Sequence, residues 1–258
     1  MSRNFELMQN LGKEREMFEA AAEMSSVVAE PAAKFAPAPV ELQPLQLQME
    51  EGQRDEVFKL VQRVFLTAGA QRGRVVVVAG MESGNGCSWI CARMAEVLAS
   101  QVSGSVCVVD ANLRAPGLHR EFGVPNHYGL TDALQVGDPI RRFVTSLSRP
   151  NLWLLSCGAE VEGMQTMLGS DRMRSILPEL QREFDYVLID AAPMDASDDS
   201  VILGRGAEGI VLVLRAHSSR RETARKAVRD LENASVRVLG AVLNRRTFPV
   251  PESIYRKL

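Results

Sequence analysis

The stretch RVVVVAGMESGNGCS, residues 74–88, decides the fold. Its run of valines, Val75 to Val78, is typical of a strand that is buried on both faces. The three glycines that follow predict a tight turn, and a helical pattern begins at about Cys87. A turn of this kind exposes backbone N–H groups and the positive end of a helix, so the sequence predicts a binding site for an anion such as phosphate.

Short apolar runs alternate with helical patterns from this stretch to the end of the domain. The strand-like runs are RVVVVAG, SVCVVD, NLWLLSC, FDYVLID, GIVLVLR and VRVLGAVLN. The helical patterns are NGCSWICARMAEVLAS, TMLGSDRMRSILPELQRE and RRETARKAVRDLENA. This order predicts a doubly wound α/β domain, with a mostly parallel sheet and helices on both faces. Ligands of such sheets bind outside the carboxyl ends of the strands.

Four segments are predicted along the chain. Residues 1–24 carry apolar residues at helical spacing and form an amphipathic amino-terminal helix, and residues 25–53 are a Pro/Ala-rich linker. The α/β domain covers residues 54–248 and begins with a helix at 55–67, and residues 249–258 form a short tail.

Composition excludes several classes of protein. The 258 residues include 30 basic and 32 acidic side chains, a net charge of -2, so binding to nucleic acid is not expected to be the main function. The apolar runs are shorter than the ~18 residues that a spanning helix needs, and the amino terminus lacks an export pattern. The four cysteines are scattered, which suits a reducing compartment. A cytoplasmic location is expected.

Acidic side chains stand where strands end. Asp110 ends the second run with Arg114 four residues later, and Asp190 ends the fourth run. A carboxylate there can hold Mg²⁺ or its water, and a nearby arginine can meet phosphate charge or a neighbouring chain. A capping aspartate and a surface arginine are the structural alternative. Gly86 and Ser88 fit the end of the phosphate-binding pattern G-x-x-x-x-G-K-[ST].

Six segments in order resemble a known family. They are SGNGCS, VVDANLRAPGLHREFGV, NHYGLTDAL, MLGSDRMRSIL, FDYVLIDAAP and VLGAVLN. Together they resemble the bacterial tyrosine kinases of capsule and exopolysaccharide assembly, which are P-loop ATPases related to MinD and ParA. The resemblance implies a cytoplasmic domain that binds ATP or ADP with Mg²⁺, forms rings and phosphorylates tyrosines in its own tail. It also implies a membrane polysaccharide co-polymerase, or chain-length regulator, as the partner.

The resemblance assigns roles to residues of this chain. The nucleotide-binding candidates are Gly84, Asn85, Gly86, Cys87, Ser88, Arg114 and Asn244, the last beside the adenine. The metal-binding candidates are Ser88, Asp110 and Asp190, of which the two aspartates are also the catalytic candidates. The ring-assembly candidates are Glu56, Lys59 and Arg63. Tyr255 is the candidate phosphate acceptor in the tail.

Two of three departures from the family pattern remove a charge. Cys87 replaces the loop lysine, Asn112 replaces a second acidic residue and Ala192 replaces a proline. Phosphoryl transfer depends on positioning and charge stabilisation, so loss of the lysine predicts impaired catalysis. A cysteine at a helix start is expected to have a lowered pKa. A substitute cation is available in principle from Arg93 or from a neighbouring subunit.

The sequence thus favours a regulatory or scaffold pseudokinase with a degenerate phosphate loop. It would oligomerise with itself or with related kinases, and it would lie in the cytoplasm, peripheral to the inner membrane through its partner. One alternative is an active ATP-dependent autokinase. Another is a ParA/MinD-like positioning ATPase that contacts DNA through an arginine row on the last helix. For this row, a solvated face or an interface with the acidic amino-terminal helix is favoured instead. The row comprises Arg220, Arg221, Arg225 and Arg229.

Overall fold

The computed structural model describes residue 49 and residues 51–66 and 73–246. The predicted amino-terminal helix (1–24), nearly all of the linker (25–53) and the tail (249–258) with Tyr255 lie outside the described residues.

A seven-stranded sheet forms the centre of the described chain. Its strands are β1 (Arg74–Gly80), β2 (Val106–Ala111), β3 (Thr145–Ser146), β4 (Leu152–Leu155), β5 (Tyr186–Ala191), β6 (Gly209–Arg215) and β7 (Val238–Asn244). Their order in the sheet is β3-β4-β2-β5-β1-β6-β7. All neighbouring strands are parallel except β3, which is antiparallel to β4. The predicted doubly wound, mostly parallel sheet is confirmed.

Helices cover both faces of this sheet. They are α1 (Glu51–Val61), α2 (Cys87–Gln101), α3 (Leu118–Phe122), α4 (Leu130–Gln135), α5 (Met164–Met167), α6 (Asp171–Glu183), α7 (Asp199–Arg205) and α8 (Arg221–Asn233). Side chains of α1, α2 and α3 pack in one buried apolar cluster, and those of α4 to α8 pack in the other. Successive residues of β1 alternate between the two clusters, because side chains of a strand point to opposite faces. None of the described helices is long and apolar enough to cross a membrane.

The end of α1 is tied to the sheet by a buried arginine. After Val61 the helix continues as a π-helical turn, Gln62–Leu66. Arg74, at the start of β1, donates from Nη1 to the carbonyl oxygen of Phe65 at 3.1 Å, and its Nε lies 2.7 Å from a carboxylate oxygen of Glu208. An ionised donor makes a stronger hydrogen bond than a neutral one, so this contact ties the π-helical turn after α1 to the start of β1.

Several boundaries differ from the sequence prediction. Helix α1 begins at Glu51, inside the predicted linker and before the predicted domain start at residue 54. The predicted helix over 166–183 is two helices, because Ser170 caps α6 by accepting a hydrogen bond from the N–H of Met173 at 3.2 Å. Helices α3, α4 and α7 and strand β3 were not predicted from the sequence. Each has seven residues or fewer, too few to show a clear period.

Candidate nucleotide and metal site

The glycine-rich loop joins β1 to α2 at the carboxyl edge of the sheet. Gly84 and Gly86 have φ angles of 79° and 81°, in the left-handed region that favours glycine. Gly86 is the N-cap of α2 and has no side chain that could satisfy the first N–H groups of this 15-residue helix. These N–H groups and the helix dipole could therefore bind an anion.

Two asparagines hold the loop against the sheet. Asn85 is buried, and its Nδ2 donates to the carbonyl oxygen of Val213 on β6 at 3.1 Å. Asn244, at the end of β7, donates from Nδ2 to the carbonyl oxygen of Asn85 at 2.9 Å. A side chain at Gly86 would collide with the same Nδ2. Asn244 therefore lies at the glycine-rich loop, and its amide positions the loop backbone.

Two buried carboxylates lie behind this loop. Asp110 and Asp190 are register partners on the neighbouring strands β2 and β5, and both are fully buried. Asp110 accepts hydrogen bonds from the N–H groups of Gly117 and Leu118, both at 2.9 Å. Neither carboxylate oxygen of Asp190 has a hydrogen-bond partner among the described residues. An ionised acid that is buried without a partner is costly, so a bound proton or cation would stabilise Asp190 in the folded chain.

Both carboxyl groups are weak acids for their type. Burial raises the pKa of Asp110 to about 6, although its backbone N–H partners oppose the rise. Burial and the charge of Asp110 raise the pKa of Asp190 to about 7, and the adjacent Ser88 and Cys87 side chains offset part of that rise. The two carboxylates repel each other in a region of low dielectric constant, which favours a shared proton or a bound cation.

The donor set fits Mg²⁺. Ser88 lies beside Asp190 and close to Gly117, where an added Cβ would be 2.7 Å from its Oγ. Hydroxyl and carboxylate oxygens are the ligands that Mg²⁺ accepts, with phosphate oxygens and water completing its shell. In the described chain no group of three or more His, Cys, Asp or Glu side chains could hold a metal by itself. Ser88, Asp110 and Asp190 would hold the ion, directly or through water, and the ion would neutralise phosphate charge.

Cys87 occupies the position of the missing lysine without supplying charge. Its Sγ donates towards the carbonyl oxygen of Val78 on β1, at 3.3 Å. Burial and the neighbouring carboxylate of Asp190 raise the pKa of the thiol well above its usual range. The expectation of a lowered pKa from the helix start was wrong, because burial next to an acid outweighs the helix dipole. At neutral pH the thiol is therefore uncharged.

The two arginines considered near the loop have carboxylate partners. Arg93 on α2 lies 3.5 Å from a carboxylate oxygen of Glu121, and its guanidinium stacks over the ring of Trp89 at 5.0 Å. Arg114 lies 3.7 Å from the buried carboxylate of Asp199, at the start of α7. The sequence reasoning missed Asp199 and Glu121, since neither ends a strand.

The ring-assembly candidates lie on a different element. Glu56 and Lys59 form an exposed ion pair of 2.8 Å on α1, and Arg63 is exposed in the π-helical turn that follows. The structure thus brings together Gly84, Asn85, Gly86, Cys87, Ser88, Asp110, Asp190 and Asn244 around the loop. It places Arg114 beside Asp199 and the α1 residues elsewhere.

Known proteins are similar to this chain in sequence and in fold. No family model matches the chain. The Bacillus subtilis tyrosine-protein kinase YwqD is 31% identical over 169 residues, which cover 66% of this chain and 71% of that protein. The Escherichia coli tyrosine-protein kinase etk is 27% identical over 170 residues, or 66% of this chain and 23% of that protein. The solved kinase domain of E. coli ETK superposes with a TM-score of 0.69 over 77% of this chain and 79% of that chain, at 23% identity. The chain therefore belongs to the bacterial tyrosine-protein kinase family of P-loop proteins.

Proposed function

We propose that this chain is a tyrosine-kinase-like protein of exopolysaccharide or capsule synthesis and export that has lost efficient phosphoryl transfer. It acts as a regulatory or scaffold subunit in assembly with related kinases and a membrane polysaccharide co-polymerase. The observation that carries the proposal is Cys87, an uncharged thiol directed at the carbonyl oxygen of Val78, at the position where the pattern requires a lysine.

The physical reason lies in the charge of the transition state. Phosphoryl transfer is accelerated mainly by cations that are already positioned around the transferred group. The loop offers backbone N–H groups and a helix dipole, but its built-in cation is replaced by a neutral thiol. Glu82 adds a negative charge to the same loop.

The binding half of the site is retained. The asparagine contacts hold the loop, with its left-handed glycines, against the sheet, and Ser88, Asp110 and Asp190 supply oxygen ligands for Mg²⁺. ATP or ADP therefore binds weakly with Mg²⁺ and serves as a structural ligand. Glu56, Lys59 and Arg63 are the contacts of ring or mixed assembly, and Tyr255 is the acceptor for an active partner kinase. The protein acts in the cytoplasm, peripheral to the inner membrane through the co-polymerase.

The decisive experiment separates charge from size at residue 87. Mg²⁺-ATP binding is measured by calorimetry, and phosphate release is measured in parallel, for the wild type, Cys87→Lys and Cys87→Met. Wild-type turnover should not exceed a buffer blank. Cys87→Lys should bind Mg²⁺-ATP about tenfold more tightly, because one charge-assisted hydrogen bond contributes about 1.5 kcal/mol or more. Cys87→Met, which adds length without charge, should not.

Wild-type turnover that Asp190→Asn abolishes would establish an active ATPase instead, and accompanying phosphorylation of Tyr255 would identify it as the autokinase. Equal nucleotide affinity for Cys87→Lys and Cys87→Met would show that charge at residue 87 is not what limits the site.

A further inference from the structure

A groove of about 410 Å³ lies between helix α8 and strands β6 and β7. Its apolar lining residues are Leu212, Leu214, Ala224, Val228 and Ala241, and its basic ones are Arg221, Arg225 and Arg229. Leu243, two residues beyond Ala241 on the same strand face, is 53% exposed. Because β7 is the last strand of the sheet, the described chain leaves this α8–β7 groove open along the sheet edge.

The arginines of the groove form one row. Arg221, Arg225 and Arg229 recur every fourth residue, which places them on one helix face about 6 Å apart along the axis. All three are exposed, and none has an ion pair among the described residues. Residues 215–246 carry nine basic and three acidic side chains, so the local charge is strongly positive. Like charges at this spacing repel each other, so the row would gain from carboxylate partners.

The groove is separate from the two sites described above. Leu212 packs in the apolar cluster of α4 to α8, whereas the next residue, Val213, packs in the cluster of α1 and α2. The groove therefore opens on the sheet face opposite to α1. An occupant here would contact neither the ring-assembly residues nor the glycine-rich loop.

We infer that the α8–β7 groove binds an acidic amphipathic helix of a partner protein. Apolar side chains of that helix would cover the accessible leucines of the groove, Leu214 and Leu243, and carboxylates one turn apart would meet the arginine row. This is the helix-in-groove mode of recognition, in which apolar burial provides affinity and charge complementarity fixes the register.

Two other anionic partners match the groove less well. Duplex DNA would pair its phosphates with the arginines but would leave the apolar lining without a contact, because phosphates and sugars are polar. An anionic membrane presents a flat surface, whereas the groove is concave between a helix and a strand edge. Both are retained as outcomes of the test.

The test uses the full chain and a fluorescein-labelled synthetic peptide of about 15 residues, which is about four helical turns. The peptide carries leucines on one helical face and glutamates every fourth residue on the adjacent face. Binding is followed by fluorescence anisotropy at low and at physiological salt. We expect saturable binding that weakens with salt, since exposed charge pairs are screened.

Matched variants locate the binding surface. Arg225→Glu/Arg229→Glu should weaken binding about tenfold, whereas Arg149→Glu/Arg182→Glu, an equal charge change at exposed residues elsewhere, should not. Leu243→Ser should weaken binding about threefold, through lost apolar burial. A peptide of the same composition in scrambled order should not bind.

Equal affinity for the two double variants, or for the two peptides, would overturn the inference. So would a lack of saturation up to ~1 mM peptide. If duplex DNA or phosphatidylglycerol vesicles bound more tightly than the peptide through the same arginines, the groove would be a nucleic-acid or lipid surface instead.

Discussion

Asp110 and Asp190 are register partners on adjacent strands, yet only Asp110 has hydrogen-bond donors among the described residues. Backbone N–H groups after β2 satisfy Asp110, whereas Asp190 is buried with both oxygens unpaired. The folded chain therefore keeps an acid at the site that is strongly stabilised by a proton or by a cation. Because a proton and a cation would compete for the same unpaired carboxylate of Asp190, the pH dependence of stability is linked to cation binding.

The first prediction concerns pH. The folded-state pKa values of about 6 for Asp110 and about 7 for Asp190 lie above the unfolded value of ~3.9. Between these limits the folded state binds more protons, so the free energy of unfolding falls as pH rises from about 4 to about 8. Asp190→Asn should make this slope shallower, with Asp110 and Glu96, whose pKa values burial also raises, keeping the rest of it. The substitution should stabilise the protein at pH 8 by roughly 2 to 4 kcal/mol. Urea unfolding of the wild type and Asp190→Asn at pH 5 and pH 8 measures this pH dependence of the free energy of unfolding.

Asp195→Asn is the matched control, because Asp195 is an exposed aspartate just after the same strand. It should leave the slope unchanged. A wild-type stability that is level between pH 5 and pH 8 would contradict the proposed cost of ionising Asp190. Mg²⁺ at pH 8 should stabilise the wild type and have little effect on Asp190→Asn, because binding to the folded state alone shifts the unfolding equilibrium.

A second prediction concerns the space beside Ser88. Gly117→Ala would place a methyl group 2.7 Å from Ser88 Oγ, too close without movement of the hydroxyl. The φ of Gly117 is -131°, which alanine adopts readily, so the effect would come from crowding. We expect Mg²⁺-ATP to bind about tenfold more weakly, with about 1 kcal/mol lost from stability. Gly137→Ala, which meets nothing within 4 Å, is the control in calorimetry.

The central strands were predictable because a strand that is buried on both faces appears in the sequence as a continuous run of apolar residues. The valines of β1 predict a buried strand without any tertiary information, and the ends of the predicted strands point to Asp110 and Asp190, which the structure shows to be register partners. Short elements do not show such a run or a clear helical period. Helix α3 has five residues, yet it supplies the N–H of Leu118 to Asp110.

The chemistry of the site was less predictable than its location. Cys87 begins a helix, which predicts an acidic thiol, but its burial next to Asp190 comes from strand packing and reverses the shift. The partners of Arg93 and Arg114 are also set by the fold. Glu121 is 28 residues from Arg93 in the chain, so no local pattern connects them.

A third prediction concerns the loop clamp. Asn244→Ala removes the hydrogen bond to the carbonyl oxygen of Asn85, and that oxygen then loses a donor. We expect a loss of about 1 kcal/mol in stability and faster amide hydrogen exchange in the loop around Gly86. Asn233→Ala, at the exposed end of α8, should change neither quantity. Unchanged exchange near Gly86 would mean that Asn244 does not position the loop.

The last prediction concerns assembly through α1. Lys59 and Arg63 are exposed, and the Glu56–Lys59 pair is an exposed contact between residues three apart. Exposed pairs of this kind contribute little to folding, so Lys59→Glu/Arg63→Glu should leave the unfolding midpoint nearly unchanged. If these side chains meet a neighbouring subunit, reversal replaces two attractions by two repulsions and should weaken self-association about tenfold or more. Sedimentation velocity over a concentration series measures this self-association, with Arg149→Glu/Arg182→Glu as the charge-matched control.

Because self-association and the unfolding midpoint are measured independently, a variant that is destabilised would be recognised by its lower midpoint. A folded variant that still associates like the control would show that assembly does not use this face of α1.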